Sequence, residues 1–173
     1  MQILETDRLV LREIDSAIDA EFVFKLLNTP KFIQYIGDRG VRSVEESAAF
    51  IENIYHQSYR DHGFALYAVE IKTGRTPIGL CGFVKRETLP SPDLGFAFLP
   101  EFEGQGYGFE SASGAMQYGQ AVLGFSRVLA ITSLDNDVSG RLLMKLGFGF
   151  ERIIEMPDGE DLKLFEKHLL PTA

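Results

Sequence analysis

Apolar residues follow two rhythms along the chain, and the rhythm changes between its parts. Leu9-Val10-Leu11, set between Arg8 and Arg12, is a short apolar run suited to a strand. Asp15-Ser16 then opens a segment in which Phe22, Leu26 and Leu27 recur at helical spacing. After a break at Pro30 and a turn at Gly37-Asp38-Arg39-Gly40, Ser43-Val44-Glu45-Glu46 has the form of a capping box. Ala49, Phe50, Ile54 and Tyr55 supply the apolar face of the helix it starts, which frays near Asp61-His62-Gly63.

The middle of the chain alternates with a shorter period. Phe64 to Ile71, Ile78 to Val84 and Leu94 to Leu99 predict three strands joined by short polar connections, an antiparallel meander. Gly104-Gln105-Gly106-Tyr107-Gly108 follows directly, and Ala112, Met116, Gly119 and Leu123 then repeat at helical spacing up to Gly124. Val128 to Thr132 predicts a strand, Asp137 to Lys145 a short helix stopped by Gly147, and Phe150 to Glu155 with Leu162 to Phe165 a closing hairpin around Asp158-Gly159. The class is α/β, with a central, mostly antiparallel mixed sheet flanked by helices.

Composition adds bounds. The chain has 173 residues, 45% hydrophobic and 24% charged, with seven prolines and no repeat or linker-like tract, so residues 1–173 read as one domain. At this size about 70% of the unfolded surface can be buried, enough for a core without staples. The lone Cys81 excludes an internal disulfide framework and any C-x-x-C motif, and the charged start lacks the apolar stretch of a signal peptide. No run is long enough to span a membrane, and the expected compartment is the cytoplasm. With 17 Lys and Arg against 25 Asp and Glu, the net charge of −8 disfavours nucleic acid and favours cationic partners such as amines and basic peptides.

The glycine-rich segment is the sharpest chemical signal. A helix start carries N–H groups without partners, and glycines let the backbone approach a phosphate, so a strand, a Gly-x-Gly-x-Gly loop and a helix can cradle an anion. The alternative is a tight turn that needs positive φ and nothing more. Phe109 stands where a dinucleotide fingerprint needs its last glycine, and no G-x-x-x-x-G-K-[ST] occurs, so Rossmann and P-loop readings both fail.

Several separated segments together resemble the GNAT superfamily of N-acetyltransferases, in particular its ribosomal-protein (RimJ/RimL-like) branch. They are Thr6-Asp7-Arg8-Leu9-Val10-Leu11-Arg12, Ile78-Gly79, Asp93-Leu94-Gly95-Phe96, the glycine loop, and Asn136-Asp137-Val138-Ser139 leading to Lys145-Leu146-Gly147-Phe148. The resemblance covers nearly the whole chain and implies acetyl-CoA as co-substrate. It assigns the diphosphate to the backbone of Gln105, Gly106, Tyr107, Gly108 and Phe109, and pantetheine to the strand carrying Phe96, Phe98 and Leu99. Asn136 is implied to contact pantetheine or substrate, Ser139 to hydrogen-bond or protonate the departing thiolate, and Glu155 to act as base. Arg141 and Lys145 are candidates for a CoA phosphate, Arg141 being the one retained. Two residues depart from the pattern: Glu103 stands where the family usually has Arg or Gln, and Leu143 where many members have a tyrosine acid.

Acetyl transfer to an amine requires a neutral amine, a stabilised oxyanion and a protonated leaving thiolate held in one geometry. An α-amine is about 10% neutral at pH 7 and a lysine only about 0.04%, so a weak or water-mediated base suffices for an N-terminus. The expected acceptor is a peptide or protein N-terminus; a small amine such as a polyamine, an aminoglycoside-like compound or an amino acid comes second, and a non-catalytic acyl-CoA-binding module is the remaining alternative. As bland readings, Asn136 and Ser139 are ordinary helix-capping residues, Glu155 is a solvated carboxylate, and Phe32, Tyr35, Phe64 and Tyr67 belong to the core rather than an acceptor pocket. Cys81 sits in an apolar strand as a small hydrophobe, and His56, His62 and His168 are scattered, so no metal is implied. The sequence leaves a homodimer open.

Overall fold

The computed structural model describes residues 1–169. Its eight strands are β1 (Gln2–Glu5), β2 (Leu9–Arg12), β3 (Leu66–Ile71), β4 (Thr76–Val84), β5 (Asp93–Phe98), β6 (Arg127–Ser133), β7 (Gly149–Glu155) and β8 (Asp161–His168). The helices are α1 (Ala20–Leu27), α2 (Pro30–Tyr35), α3 (Val44–Phe50), α4 (Gln57–His62), α5 (Tyr107–Ala121) and α6 (Asp137–Lys145). One mixed sheet takes the order β1-β2-β3-β4-β5-β6-β8-β7, antiparallel throughout except for the parallel pair β5 and β6.

Two apolar clusters occupy opposite faces of this sheet. On one face α5 contributes Ala112, Ala115 and Met116 and α6 contributes Leu143, packed on Val69, Phe83, Val128, Ala130 and Phe165. On the other, Phe22, Val23, Leu26 and Leu27 of α1, with Phe32 and Ile51, cover Ala68, Leu80 and Leu99. Phe32, Phe64 and Tyr67 are thus core residues, whereas Tyr35 is only half-buried.

The anticipated strands and late helices are present, and the differences lie in the first third. β1 adds an edge strand that four residues of mixed polarity did not signal. Pro30 begins a helix instead of breaking one: it stands at the first helical position, and the Thr29 hydroxyl accepts from the Phe32 N–H at 3.4 Å. α1 starts at Ala20 because Asp15 first turns the chain, its Oδ1 accepting from the Ala17 N–H at 2.8 Å. Asp19, just before the helix, is drawn away by Arg12, which donates to it at 2.6 Å and to Glu70 on β3 at 2.7 Å. Between α3 and α4 the helix continues through a π-turn at Ile51–His56. Tyr55 is buried as expected, but the buried positions are Ser47, Ile51 and Tyr55, four residues apart, and Ala49 and Ile54 of the expected face are exposed.

The feature that shapes the site is the meeting of β5 and β6. They share one register pair, Asp93 with Leu129, closed by the Leu129 N–H donating to the Pro92 carbonyl at 3.0 Å. Beyond it the strands diverge towards their C-terminal ends. The connection before β5 braces the vertex: Leu89 packs on Leu129 and Leu164, and Asp93, only 2% exposed, accepts from Arg86 Nε at 3.1 Å. Burial pushes the Asp93 carboxyl up to about 6 against the opposing pull of Arg86.

A carboxyl whose folded value lies above its ordinary one stabilises the fold when protonated, and that contribution is lost as pH rises through the folded value. The stability margin of the parent over Asp93→Asn is therefore expected to shrink, by up to about 3 kcal/mol, between about pH 4 and pH 7. Paired thermal melts across that range check it; a margin independent of pH contradicts the assignment.

Candidate active site

β5 leads into the glycine loop and α5, β6 leads into α6, and both helices lie on the same face of the sheet. The N-termini of both helices therefore stand at the open end of the cleft. Gly106 caps α5 with φ of 85°, a left-handed conformation that a side chain would strain, and it offers no side-chain cap of its own. The first intrahelical bond is that of the Glu110 N–H to the Gly106 carbonyl, at 3.0 Å. The N–H groups of Tyr107, Gly108 and Phe109 thus have no acceptor within the helix, and they carry the positive end of its dipole. A Cβ on Gly108 would lie 3.4 Å from Leu142 of α6 and 3.7 Å from Phe98 of β5, so its bare face looks into the cleft.

The opposite wall is main chain. Leu99 donates to the Ile78 carbonyl at 2.9 Å, and antiparallel alternation then directs the N–H and C=O of Ala97 and Leu99 to β4 and those of Phe96 and Phe98 towards β6. Phe96 and Phe98 accordingly offer free strand edge, while the Leu99 N–H and carbonyl are engaged by Ile78 and Phe102 and its side chain is core. Phe98 can lie flat on the sheet because its partner is Gly79, where a Cβ would come within 2.4 Å of the ring.

Across the cleft, the Asn136 side chain caps α6 by accepting from the Ser139 N–H at 3.2 Å, which leaves the half-buried Ser139 hydroxyl at the first turn. Arg141 is exposed, and Leu143, in the position noted for a tyrosine, is 1% exposed in the core. Lys145 reaches back to place its ammonium 4.4 Å over the Phe109 ring. Ser133, at the end of β6, donates to the Tyr35 carbonyl at 2.8 Å and so fastens α2 to that lip. Glu155 ends β7 opposite Asp161, exposed, with β8 between its strand and β6. Asp158, Glu160 and Asp161 are exposed beside it, and Asp137 pairs with Lys163 at 3.6 Å.

Other residues near the loop carry no obvious sequence signal. The Glu110 carboxylate, in the first turn of α5, accepts from the Thr6 hydroxyl at 2.5 Å, the Arg8 N–H at 2.8 Å and Arg8 Nε at 2.6 Å. Burial works against this anion, but the hydrogen bonds from Thr6 and Arg8 hold it below the usual carboxylate range. Arg8 Nη1 also donates to the Gln105 carbonyl at 3.0 Å, and its guanidinium lies 4.4 Å over the Tyr107 ring. The partners are about a hundred residues apart in sequence, which is why the spacing of the motif does not disclose them. Glu103, the acidic departure in the loop, is paired with Lys31 of α2, and Lys25 of α1 pairs with Glu101 at 2.6 Å. The carboxylate is thereby partly neutralised on the helical side of the loop.

Cys81 is fully buried, and burial pushes its thiol up to about 12 despite a hydrogen bond with Ser111, which removes it as a nucleophile at neutral pH. His56 is held by Glu52 and the Ile14 carbonyl, and no cluster of metal-ligating side chains occurs among the described residues. No helix among them is long and apolar enough to cross a membrane.

Residues 8–149 match the acetyltransferase (GNAT) domain family. The chain is 31% identical over 153 residues to the uncharacterized N-acetyltransferase YoaA of Bacillus subtilis (strain 168), covering 88% of this chain and 85% of the relative. Among solved structures, RimL, a ribosomal L7/L12 alpha-N-protein acetyltransferase in complex with coenzyme A, superposes with a TM-score of 0.83 at 18% identity, covering 98% of each chain. A spermidine N-acetyltransferase SpeG chimera from Vibrio cholerae and hSSAT gives 0.76 at 18% identity, covering 94% of this chain and 96% of that one. The chain shares its overall fold with these two structures and belongs to the GNAT family of acetyl-CoA-dependent acetyltransferases.

Proposed function

We propose that this acetyltransferase moves the acetyl group directly to a primary amine in a ternary complex, and that the acceptor is the α-amine of a peptide or protein N-terminus. The observation that carries the acetyl-CoA side of the reading is the pair β5 and β6, joined at Asp93 and Leu129 and free beyond, with the uncapped N-terminus of α5 at the mouth. Such a mouth suits a diphosphate, since three N–H groups and the helix dipole converge there without a competing side chain. The free edge at Phe96 and Phe98 suits the amides of pantetheine, which can pair with it as an added strand would. Acetyl-CoA supplies the acyl group as a thioester; the remaining chemistry falls to the chain.

Glu155 is our candidate for the base. It holds a carboxylate at the acceptor end of the sheet and takes a proton from the incoming ammonium, directly or through water, so that the nitrogen lone pair becomes available. Ser139, at the start of α6, is our candidate for the hydrogen bond to the departing sulfur. One structural neighbour of this chain is an alpha-N-protein acetyltransferase, which supports an N-terminal acceptor, and an α-amine needs only a weak base. A polyamine is the second reading, favoured by the exposed carboxylates at 155, 158, 160 and 161 and by the spermidine-acetylating neighbour.

Gly108→Val crowds the start of α5, where a Cβ already stands 3.4 Å from Leu142 and 3.7 Å from Phe98, and is expected to weaken acetyl-CoA binding by at least tenfold; titration calorimetry on the folded protein reads this directly. Retained affinity in a folded Gly108→Val protein sinks the loop assignment. Glu155→Gln is expected to lower kcat by tenfold or more while leaving acetyl-CoA affinity unchanged. Running both proteins against an N-terminal peptide and spermidine separates the acceptors, and an unchanged kcat removes Glu155 from the reaction.

A further inference from the structure

We propose that Arg8 is a positioning residue for the diphosphate cradle of α5, acting by holding the Gln105 carbonyl and the Glu110 carboxylate at the same time. The inference rests on the reading that the N-terminus of α5 receives the diphosphate of acetyl-CoA, and it concerns what keeps that terminus in its binding shape. Gly106 has no side chain to fix the loop, and a glycine permits the preceding peptide plane to rotate between orientations. A trans peptide directs its C=O and the following N–H in opposite senses. By donating to the Gln105 carbonyl at 3.0 Å, Arg8 Nη1 turns the Gly106 N–H away from the guanidinium and fixes which way that peptide faces.

Three further contacts make Arg8 a brace rather than a passing surface charge. Its Nε holds Glu110 Oε2 at 2.6 Å, its own N–H holds Glu110 Oε1 at 2.8 Å, and its guanidinium covers the Tyr107 ring at 4.4 Å. Its Nη2 would stand 3.2 Å from a Cβ on Gly106, so the guanidinium packs directly against the cap residue. Glu110 is only 17% exposed and lies in the same first turn as the free N–H groups, where an unpaired carboxylate would repel a bound diphosphate. Arg8 neutralises that charge while the Thr6 hydroxyl fills another of its acceptor sites. Two charge-assisted bonds in one plane, with a stacked ring beneath, are a task for a guanidinium; an ammonium cannot span both acceptors and stack.

The test measures the binding of two ligands to the purified chain by calorimetry: acetyl-CoA, and S-acetylpantetheine, which lacks the diphosphate. Arg8→Ala is expected to weaken acetyl-CoA at least tenfold and S-acetylpantetheine less than twofold, with KM for acetyl-CoA raised and kcat at saturation little changed. Arg8→Lys, which keeps the charge, is expected to recover less than half of the lost affinity on a logarithmic scale, and Thr6→Val gives a milder perturbation of the same carboxylate if Arg8→Ala fails to fold. Full recovery by lysine, equal loss for both ligands, or acetyl-CoA affinity within twofold of the parent each overturns the proposal. If Gly108→Val weakens acetyl-CoA and Arg8→Ala does not, only the brace fails; if neither does, the diphosphate site itself is elsewhere.

Discussion

Strands β5 and β6 are joined where Asp93 meets Leu129 and separate beyond it, and the rest of the site inherits its geometry from that divergence. In a sheet that continued pairing, the N–H and C=O groups of Phe96 and Phe98 would be consumed by the neighbouring strand. Here they face a gap, and a backbone edge that is neither paired nor covered is a standing demand for a partner with amide groups. The vertex must be firm for the gap to keep its width. Leu89, Leu129 and Leu164 pack beneath it, and the buried Asp93 with Arg86 adds a polar tie on the same strand start.

The divergence also explains why two helix N-termini meet at one place. Because β5 and β6 run parallel and each is followed by a helix on the same face, α5 and α6 both begin at the wide end. Their first turns differ in how the free N–H groups are treated. α6 has the Asn136 side chain as a cap, so one of its donors is already satisfied; α5 has Gly106, which satisfies none. The uncapped terminus is the one free to receive an anion, and the ion pairs around it hold nearby acidic groups in check: Glu110 by Arg8, Glu103 by Lys31 and Glu101 by Lys25. An acidic chain can therefore present an electropositive mouth, because the helix dipole and the pairing of local carboxylates act over a few ångströms whereas the net charge acts over the whole surface.

How much of this was legible in the sequence depends on whether the information is local. Strand and helix order from Phe64 onward follows from periodicity and from glycine punctuation, while the glycine loop by its spacing admits either an anion cradle or a tight turn, and only the resemblance to the GNAT family favours the cradle. The first third was harder because its signals are ambiguous one at a time. Pro30 reads as a break or as a first helical residue, and only the Thr29 cap decides. Through α3 and the π-turn the buried positions Ser47, Ile51 and Tyr55 recur every four residues, and the first of them is a serine that an apolar pattern passes over. Within the site, the main-chain roles of Phe96 and Phe98 follow once the ladder phase is known, while the engagement of the Leu99 backbone depends on that phase and on the turn at Phe102. The contacts of Arg8, Glu110 and Lys31 join distant segments, so the residues were in view but their partnership was not.

The same distinction accounts for the unequal legibility of cofactor and acceptor. The proposed cofactor side uses backbone groups, and the residues that make backbone available are few: glycine where a side chain would block, a strand edge, a helix start. Those leave a pattern in sequence. The proposed acceptor side rests on side chains of elements brought together only by folding, with Glu155 at the end of β7 and β8 between that strand and β6. Carboxylates there answer to any cation, so charge by itself does not separate a peptide α-amine from a polyamine. What separates them is the spacing of the positive charges and the room beside the reacting nitrogen, which side chains rather than backbone groups set.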